Sequence, residues 1–144
     1  MHIYTIGFTR KSAETFFSIL AENQITCLVD IRLHPGGQLA GFTKQEDLRY
    51  FLRQLIGCNY RYLSQLAPSD DLLGAYRADH DWPAYEAAFN HLLDERCVPE
   101  ILDRTLFEEY ACCLLCSEPT PEQCHRRLVA ERLAAAWGAQ ITHL

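Results

Sequence analysis

One almost wholly apolar run, ACCLLC at residues 111–116, constrains the fold more than any other part of the chain. Apolar and polar residues do not alternate in it, which indicates a strand covered on both faces, as is typical of parallel sheets. Two more short apolar runs lie at residues 2–6 and 27–31, and helical patterns separate the three. Because parallel neighbours need helical crossovers, we predict that these three strands are adjacent in a mainly parallel sheet.

The rest of the chain supplies helices and two weaker strands. Residues 59–63 and 139–144 are shorter and more polar, so we expect these strands nearer the edges, and residues 64–81 predict turns. At 144 residues the chain has the usual size of one domain, so we predict a single Rossmann-like three-layer α/β domain over residues 1–144. Apolar residues at helical spacing predict five helices, at residues 12–23, 43–56, 82–97, 99–110 and 120–137.

The composition limits where the protein acts and what it binds. A formal charge of −6 argues against broad non-specific binding to nucleic acid, although a local basic site can still bind one phosphate. The amino terminus lacks a signal-peptide pattern, and no apolar run approaches the roughly 20 residues that span a bilayer. We therefore expect a cytoplasmic protein without a membrane partner. The seven cysteines are odd in number, so we expect reduced thiols rather than a disulfide framework.

Loops at one edge of the predicted sheet carry the candidate site residues. In open α/β sheets, ligands bind outside the carboxyl ends of the strands, where loops lead into helices. This rule selects residues 7–10, 30–37 and 116–126. Because the strands are predicted to be parallel, these loops meet at the same end of the sheet. We therefore expect the polar residues of the second and third loops to share one pocket.

The segment 116–126 holds the most unusual polar cluster. Thr120 and Gln123 match a capping box and Pro121 suits the first helical position, so we predict that the last helix begins after Thr120. The start of a helix carries a partial positive charge and unpaired N–H groups, to which Arg126 adds a formal charge. We therefore predict that this loop binds an oxyanion, such as phosphate, sulfate or the phosphate of a nucleotide-like ligand.

Cys116 and Glu118 leave the strand opposite this helix start, which makes them candidates for chemistry. A thiol beside a positive helix terminus has a lowered pKa and is a better nucleophile. Glu118 can act as an acid or base, or bind a substrate hydroxyl. His125 is the third catalytic candidate, and Cys124 and Arg126 are expected to contact the substrate. Both catalysis and binding alone fit this pattern.

These residues also have purely structural interpretations. Cys116 can simply end a buried strand, and His125 begins an apolar stripe and can be a packed core histidine. Arg126 stands four residues after Glu122 and can form a surface helix pair with it. Cys116, Cys124 and His125 match no standard zinc spacing, so we predict no metal and no other cofactor.

The second cluster lies in DIRLHPGG, at residues 30–37. Asp30 and Arg32 have one residue between them, so an extended backbone projects both to the same face. In the functional interpretation Arg32 binds a substrate phosphate while Asp30 binds a hydroxyl or orients the ligand. In the structural interpretation the two form an ion pair. Gly7 and Thr9 in the first loop complete the expected substrate contacts.

These segments together resemble the domain of unknown function 488 family, over nearly the whole chain. The resemblance implies an α/β fold and a shared site built from a Cys-x-Glu, a Cys-His-Arg and an Asp-x-Arg motif. The family usually has histidine and serine where this chain has Phe8 and Thr9, and often serine and arginine where it has Gly36 and Gly37. A first-loop histidine is therefore not required for its function. The resemblance rests on YTIGFTRKSAETFFSIL, LVDIRLHP, YRYLSQL, WPAYEAAF, LLCSEPTPEQCHRRLVAERL and ITHL.

The sequence favours a domain that binds a small phosphorylated or nucleotide-like ligand, with Cys116 and Glu118 available for catalysis. A cysteine phosphatase or sulfurtransferase loop needs arginine six residues after its cysteine, and this chain has Glu122 there. Two alternatives stay open. One is a non-catalytic module that senses a nucleotide or a nucleic-acid end, and the other is a protein interaction domain in which the cluster is structural and aromatics around Trp82 meet a partner.

Overall fold

The computed structural model describes residues 1–37 and 41–144, and they form a five-stranded sheet in which every pair is parallel. The strand order is β3-β2-β4-β1-β5. The three apolar strands are adjacent at the centre and the two more polar strands lie at the edges, which confirms both predictions. The strands are β1 (His2–Gly7), β2 (Cys27–Asp30), β3 (Asn59–Tyr62), β4 (Cys112–Cys116) and β5 (Gln140–His143).

Six α-helices within the described residues accompany the strands, which confirms the α/β three-layer architecture. The second helix continues into a π-helical turn, Leu52–Ile56, which ends at Gly57 with a left-handed φ of 62°. Short 3₁₀ turns occupy Gly41–Thr43 and Ser64–Leu66. No helix in the described ranges is long and apolar enough to cross a membrane. The α-helices are α1 (Ala13–Glu22), α2 (Gln45–Phe51), α3 (Asp70–Asp79), α4 (Trp82–Glu95), α5 (Arg104–Glu109) and α6 (His125–Trp137).

Strand β4 shows why a non-alternating apolar run becomes a central strand. Cys112 and Leu114 pack into the core on one face of the sheet, beneath α4 and α6, while Cys113 and Leu115 pack into the core beneath α1 on the other. All four side chains are fully buried. Burial of a leucine side chain contributes about 1.5–3 kcal/mol, and β4 obtains this gain on both faces.

The structure corrects two helix predictions outside the site. Residues 64–81 are not simply turns, because α3 forms there, with Ser69 accepting a hydrogen bond from the Leu72 amide at 3.2 Å. The helix predicted over 99–110 is shorter, because Asp103 accepts a hydrogen bond from the Thr105 amide and thereby caps α5 at residue 104. Ser12 caps α1, since its hydroxyl accepts a hydrogen bond from the Thr15 amide at 3.1 Å.

The predicted start of the last helix is also wrong, since α6 begins at His125 rather than after Thr120. The Gln123 side chain does not close a capping box, because its Oε1 accepts a hydrogen bond from the Tyr76 hydroxyl at 3.1 Å. Cys124 is the N-cap, with an extended φ of −138°. Arg126 therefore lies in the first turn of α6 and not in the second.

Candidate functional site

The carboxyl ends of β2 and β4 bring two of the predicted clusters to one pocket of about 210 Å³. Arg32 comes from the loop after β2, Cys116 and Glu118 come from the end of β4, and Cys124 and His125 come from the start of α6. The parallel direction of the two strands places these loops at the same end, as expected.

The Asp30 carboxylate lies behind this pocket and holds Arg32 in place. Arg32 Nε and Nη2 donate to the two Asp30 oxygens at 2.9 and 2.7 Å, and the Tyr60 hydroxyl donates to Oδ2 at 2.6 Å. Asp30 is fully buried and Arg32 is 2% exposed. The predicted ion pair is therefore present, with the planar fork of arginine bound at both nitrogens.

One nitrogen of Arg32 is left over by this arrangement. Arg32 Nη1 is buried and has no hydrogen-bond partner among residues 1–37 and 41–144. The guanidinium lies 5.5 Å from the centre of the Phe8 ring. Because a buried charged N–H without a partner is costly, this nitrogen is a ready donor for an acceptor in the pocket.

Arg126 is the second buried arginine, and it contacts the sulfur of Cys116. Its Nη1 lies 3.0 Å from Cys116 Sγ and also donates to the Glu118 carbonyl, while its Nε donates to Thr5 Oγ1 at 3.3 Å. The side chain is fully buried, which excludes the surface pair with Glu122. Arg126 does not line the pocket, so it acts on the pocket only through Cys116 and the loop.

The loop after β1 supports the loop after β4, and it does not itself line the pocket. The Thr9 amide donates to the Ser117 carbonyl at 3.1 Å, and the Thr9 side chain is exposed. A Cβ on Gly7 would lie 1.6 Å from the Glu118 oxygen and 2.6 Å from Arg126 Nη1. Glycine is therefore required where β1 ends, because the loop after β4 passes directly over its backbone.

Cys116 is the last residue of β4, and its surroundings favour the thiolate. Burial alone would raise the pKa of this thiol, but a hydrogen bond with Cys124 and the charge and hydrogen bond of Arg126 bring the pKa below its ordinary value. Burial and the neighbouring Cys116 raise the pKa of the Cys124 thiol well above its ordinary value. Of the two thiols, Cys116 is therefore the one that ionises more readily.

His125 is oriented by the end of β2. Its Nε2 lies 2.8 Å from the Ile31 carbonyl, which can only accept, so Nε2 carries the proton and Nδ1 is the bare nitrogen. Nδ1 lies 4.0 Å from Cys124 Sγ. Burial, with a contribution from the charge of Arg126, lowers the pKa of His125 to about 4. The ring packs edge-on against the core residue Phe89, and His125 also lines the pocket.

An aromatic wall of Tyr76, Trp82 and Tyr85 closes one side of the pocket. The Trp82 and Tyr85 rings stack with centres 5.2 Å apart, and Tyr76 packs against both. Arg77 and His34 also border the pocket, and His34 Nε2 lies 3.1 Å from Asp70 Oδ1. Tyr76 and Arg77 were missed from the sequence because α3 was not predicted.

Among residues 1–37 and 41–144, no group of three or more His, Cys, Asp or Glu side chains is arranged to hold a metal ion. The site therefore consists of two buried arginines, two thiols, a neutral histidine and a carboxylate on an exposed residue, Glu118. Such a set can bind an anion or a polarised oxygen and can present a sulfur nucleophile to it.

Comparison with known proteins places the chain in a family. The model for Domain of unknown function DUF488 matches residues 12–133, which include β2, β4 and every residue that lines the pocket. The chain belongs to this family. No curated protein and no solved structure matches it. The family resemblance seen in the sequence motifs is thereby confirmed, and Cys116, Glu118, Cys124, His125 and Asp30 all lie within the matched range.

Proposed function

We propose that the protein is an enzyme that binds a small anionic substrate, phosphorylated or nucleotide-like, and attacks it with the Cys116 thiolate. The observation that carries the proposal is the 3.0 Å contact between Cys116 Sγ and the fully buried guanidinium of Arg126, at the floor of a pocket. A buried cation against a thiol favours the anionic nucleophile, which is how cysteine enzymes activate their sulfur.

Arg32 supports the binding half of the proposal. Its position is fixed by two hydrogen bonds to Asp30, and its unpartnered Nη1, with no acceptor in the described part of the chain, is available to a substrate oxygen. Arg77, which is exposed, adds positive charge at the same pocket. Arginine binds phosphate and carboxylate groups better than lysine does, because its planar donors match their geometry.

Glu118 supplies the proton-transfer half. Glu118 stands two residues after Cys116 and lines the pocket. Because this residue is exposed, its carboxylate can exchange protons with solvent. In the proposed reaction the Cys116 sulfur forms a bond to the electrophilic atom of the substrate while the leaving group departs with a proton from Glu118 or solvent. The aromatic wall beside the sulfur favours a substrate with a flat or apolar part.

Site-resolved alkylation tests the nucleophile. At pH 7 we expect iodoacetamide to modify Cys116 faster than Cys97, the one exposed cysteine, and inorganic phosphate to protect Cys116. Cys58 is the slow internal control, because burial raises the pKa of its thiol to about 12. Peptide mass spectrometry gives each rate in one sample. A Cys116 that reacts no faster than Cys58 contradicts the nucleophile role.

Calorimetric titration with phosphate and nucleoside monophosphates tests the anion site. The double variant D30N/R32Q removes the arginine without leaving a buried unpaired carboxylate, and we expect it to weaken binding about 10- to 150-fold, which corresponds to one charge-assisted hydrogen bond. Arg104→Ala, on the distant helix α5, is the matched control and should bind like wild type. Absence of binding by the wild type to any of these anions contradicts the anion site.

A non-catalytic sensing module is the second candidate, and the observation that favours it is the burial of Cys116, which is only 1% exposed. Such a module binds the same anions through Arg32, but its Cys116 thiol reacts slowly with iodoacetamide. The two experiments together distinguish the candidates. Anion binding with fast alkylation supports the enzyme, anion binding with slow alkylation supports the sensor, and the absence of both favours a protein interaction domain.

We also propose that the protein works in the reducing environment of the cytoplasm. All seven cysteines are free, and six of them are buried, where they act as small apolar side chains or belong to the pocket. Expression followed by thiol labelling in intact cells, without added reductant, tests this. We expect all seven thiols of the denatured chain to be labelled. Cysteines that resist labelling would contradict this proposal.

A further inference from the structure

We infer that Cys116 and Cys124 act as a peroxide-reducing pair, in which Cys116 takes the oxygen and Cys124 closes a disulfide with it. The inference rests on the thiolate of the proposed function but not on anion binding. Both sulfurs border the same pocket, one at the end of β4 and the other at the N-cap of α6. Their proximity, and not their sequence spacing, makes them a pair.

The contacts of the two sulfurs assign their different parts. Cys116 Sγ lies against Arg126 Nη1 at 3.0 Å, which favours the anion that attacks first. Cys124 Sγ lies 4.0 Å from the bare Nδ1 of His125, whose other nitrogen is held by a backbone carbonyl. The Cys116 and Cys124 thiols also interact with each other, and both border the pocket, so a disulfide requires these two sulfurs to approach to bonding distance.

The first step transfers one oxygen atom. The Cys116 thiolate attacks the outer oxygen of a hydroperoxide, an S–O bond forms while the O–O bond breaks, and the departing alkoxide or hydroxide takes a proton from solvent. Cys116 becomes a sulfenic acid and the hydroperoxide is reduced to an alcohol or to water. Cys116 and Cys124 are 1% and 3% exposed, so we expect hydrogen peroxide or a small organic hydroperoxide to be the oxidant that reaches the sulfur most readily.

The second step joins the two cysteines. The Cys124 sulfur attacks the Cys116 sulfur, an S–S bond forms while the S–O bond breaks, and hydroxide leaves as water with the proton of Cys124. His125 Nδ1 lies where it can accept that proton and pass it on. An external dithiol then reduces the disulfide by exchange and returns both thiols, so that the cycle can repeat.

Two other cysteine pairs in the chain provide internal controls. Cys27 and Cys112 are register partners on adjacent strands and share a hydrogen bond, but both are fully buried within the core. Cys113 and Cys116 stand in Cys-x-x-Cys spacing, yet side chains three residues apart on a strand face opposite sides of the sheet. The Cys27–Cys112 pair therefore controls for neighbouring cysteines that an oxidant cannot reach. The Cys113–Cys116 pair controls for cysteines with the right sequence spacing that do not face each other.

The test treats the reduced protein with stoichiometric hydrogen peroxide at pH 7 and maps disulfides by peptide mass spectrometry. We expect a Cys116–Cys124 link that forms at least about tenfold faster than any Cys27–Cys112 link and disappears with dithiothreitol. Cys124→Ser should leave a sulfenic acid on Cys116 that dimedone traps. Cys116→Ser should leave Cys124 reduced.

Several outcomes overturn the inference. These are oxidation of Cys124 in the Cys116→Ser protein at the wild-type rate, equal oxidation of Cys27 and Cys112, and a wild type that stays reduced. If a variant fails to fold, the disulfide map of the wild-type protein is sufficient to decide. Fast alkylation of Cys116 without disulfide formation refutes this pair and leaves the proposed function standing, whereas a disulfide with no anion binding refutes the anion site and leaves the pair.

Discussion

Replacement of Gly7 by alanine should damage both the fold and the site, because β1 and the loop after β4 touch at this residue. The added Cβ would lie 1.6 Å from the Glu118 carbonyl oxygen and 2.6 Å from Arg126 Nη1. Neither contact is tolerable, so the loop must move outward by more than an ångström. The buried guanidinium that bonds to this carbonyl must move with it.

The magnitude follows from two effects at Gly7. Overpacking of a well-packed position costs about 1–3 kcal/mol, and loss of the hydrogen bond from Arg126 to the Glu118 carbonyl costs about 1.5–3 kcal/mol because the donor is charged. We therefore expect Gly7→Ala to lower the free energy of unfolding by about 3–5 kcal/mol, out of the roughly 5–15 kcal/mol typical of a domain.

Urea denaturation followed by circular dichroism measures this change, and Gly74→Ala is the matched control. Gly74 lies within α3, and a Cβ there meets nothing within 4 Å. Alanine at that position should stabilise the protein by about 0.5–1 kcal/mol, because glycine is a poor helix former. A Gly7→Ala protein within about 1 kcal/mol of wild type, in the same experiment, would refute the argument that the loop rests on the β1 backbone.

Three further changes test separate parts of the structure. Tyr60→Phe removes the hydroxyl that donates to Asp30 at 2.6 Å and should lower the free energy of unfolding by about 1.5–3 kcal/mol in urea denaturation. The folded pKa of His125, about 4, lies below the unfolded value of 6.5, so the unfolded chain binds the extra proton and stability falls as the pH drops from about 6.5 to 4. His125→Gln should remove up to about 3 kcal/mol of that pH dependence, measured as unfolding free energy against pH. Arg104→Ala breaks only an exposed ion pair with Glu108 and should change stability by less than about 0.5 kcal/mol, so a larger loss argues against a purely local effect.

The central strands were predictable because their physical signal is local. An apolar run without alternation buries all its side chains only when both faces of the strand are covered. Side chains of β1, β2 and β4 are buried in this way on both faces of the sheet. The edge positions of β3 and β5 followed from their polarity. Helix α3 was missed for the opposite reason. None of its residues is fully buried, so it lacks the strong apolar stripe that identifies a helix in sequence.

The start of α6 was mispredicted because a distant contact overrides a local motif. Thr120 and Gln123 have capping-box spacing, but the Gln123 side chain is held by Tyr76, which comes from the helix that the sequence did not reveal. The shared pocket, by contrast, followed from topology alone, because loops at the carboxyl ends of adjacent parallel strands must meet.

The burial of Arg126 could not be predicted, because arginine is seldom fully buried and its cavity depends on a glycine 119 positions earlier in the chain, Gly7. A sequence pattern around residue 126 carries no information about that distant backbone. The same holds for Arg32 Nη1, whose availability is determined by which of its nitrogens Asp30 occupies. Motifs identify the residue types at a site, while long-range packing decides which atoms remain available.

The two buried arginines differ in how their charges are balanced. Arg32 is neutralised by Asp30, which leaves it free to bind through its remaining nitrogen. Arg126 forms no ion pair with a carboxylate in residues 1–37 or 41–144, and the negative charge that acts on it most strongly is that of Cys116. Because an isolated buried cation is costly, the charge of Arg126 favours the anionic form of Cys116. The fold therefore favours ionisation of a sulfur that borders the pocket, for the same reason that it favours any buried ion pair.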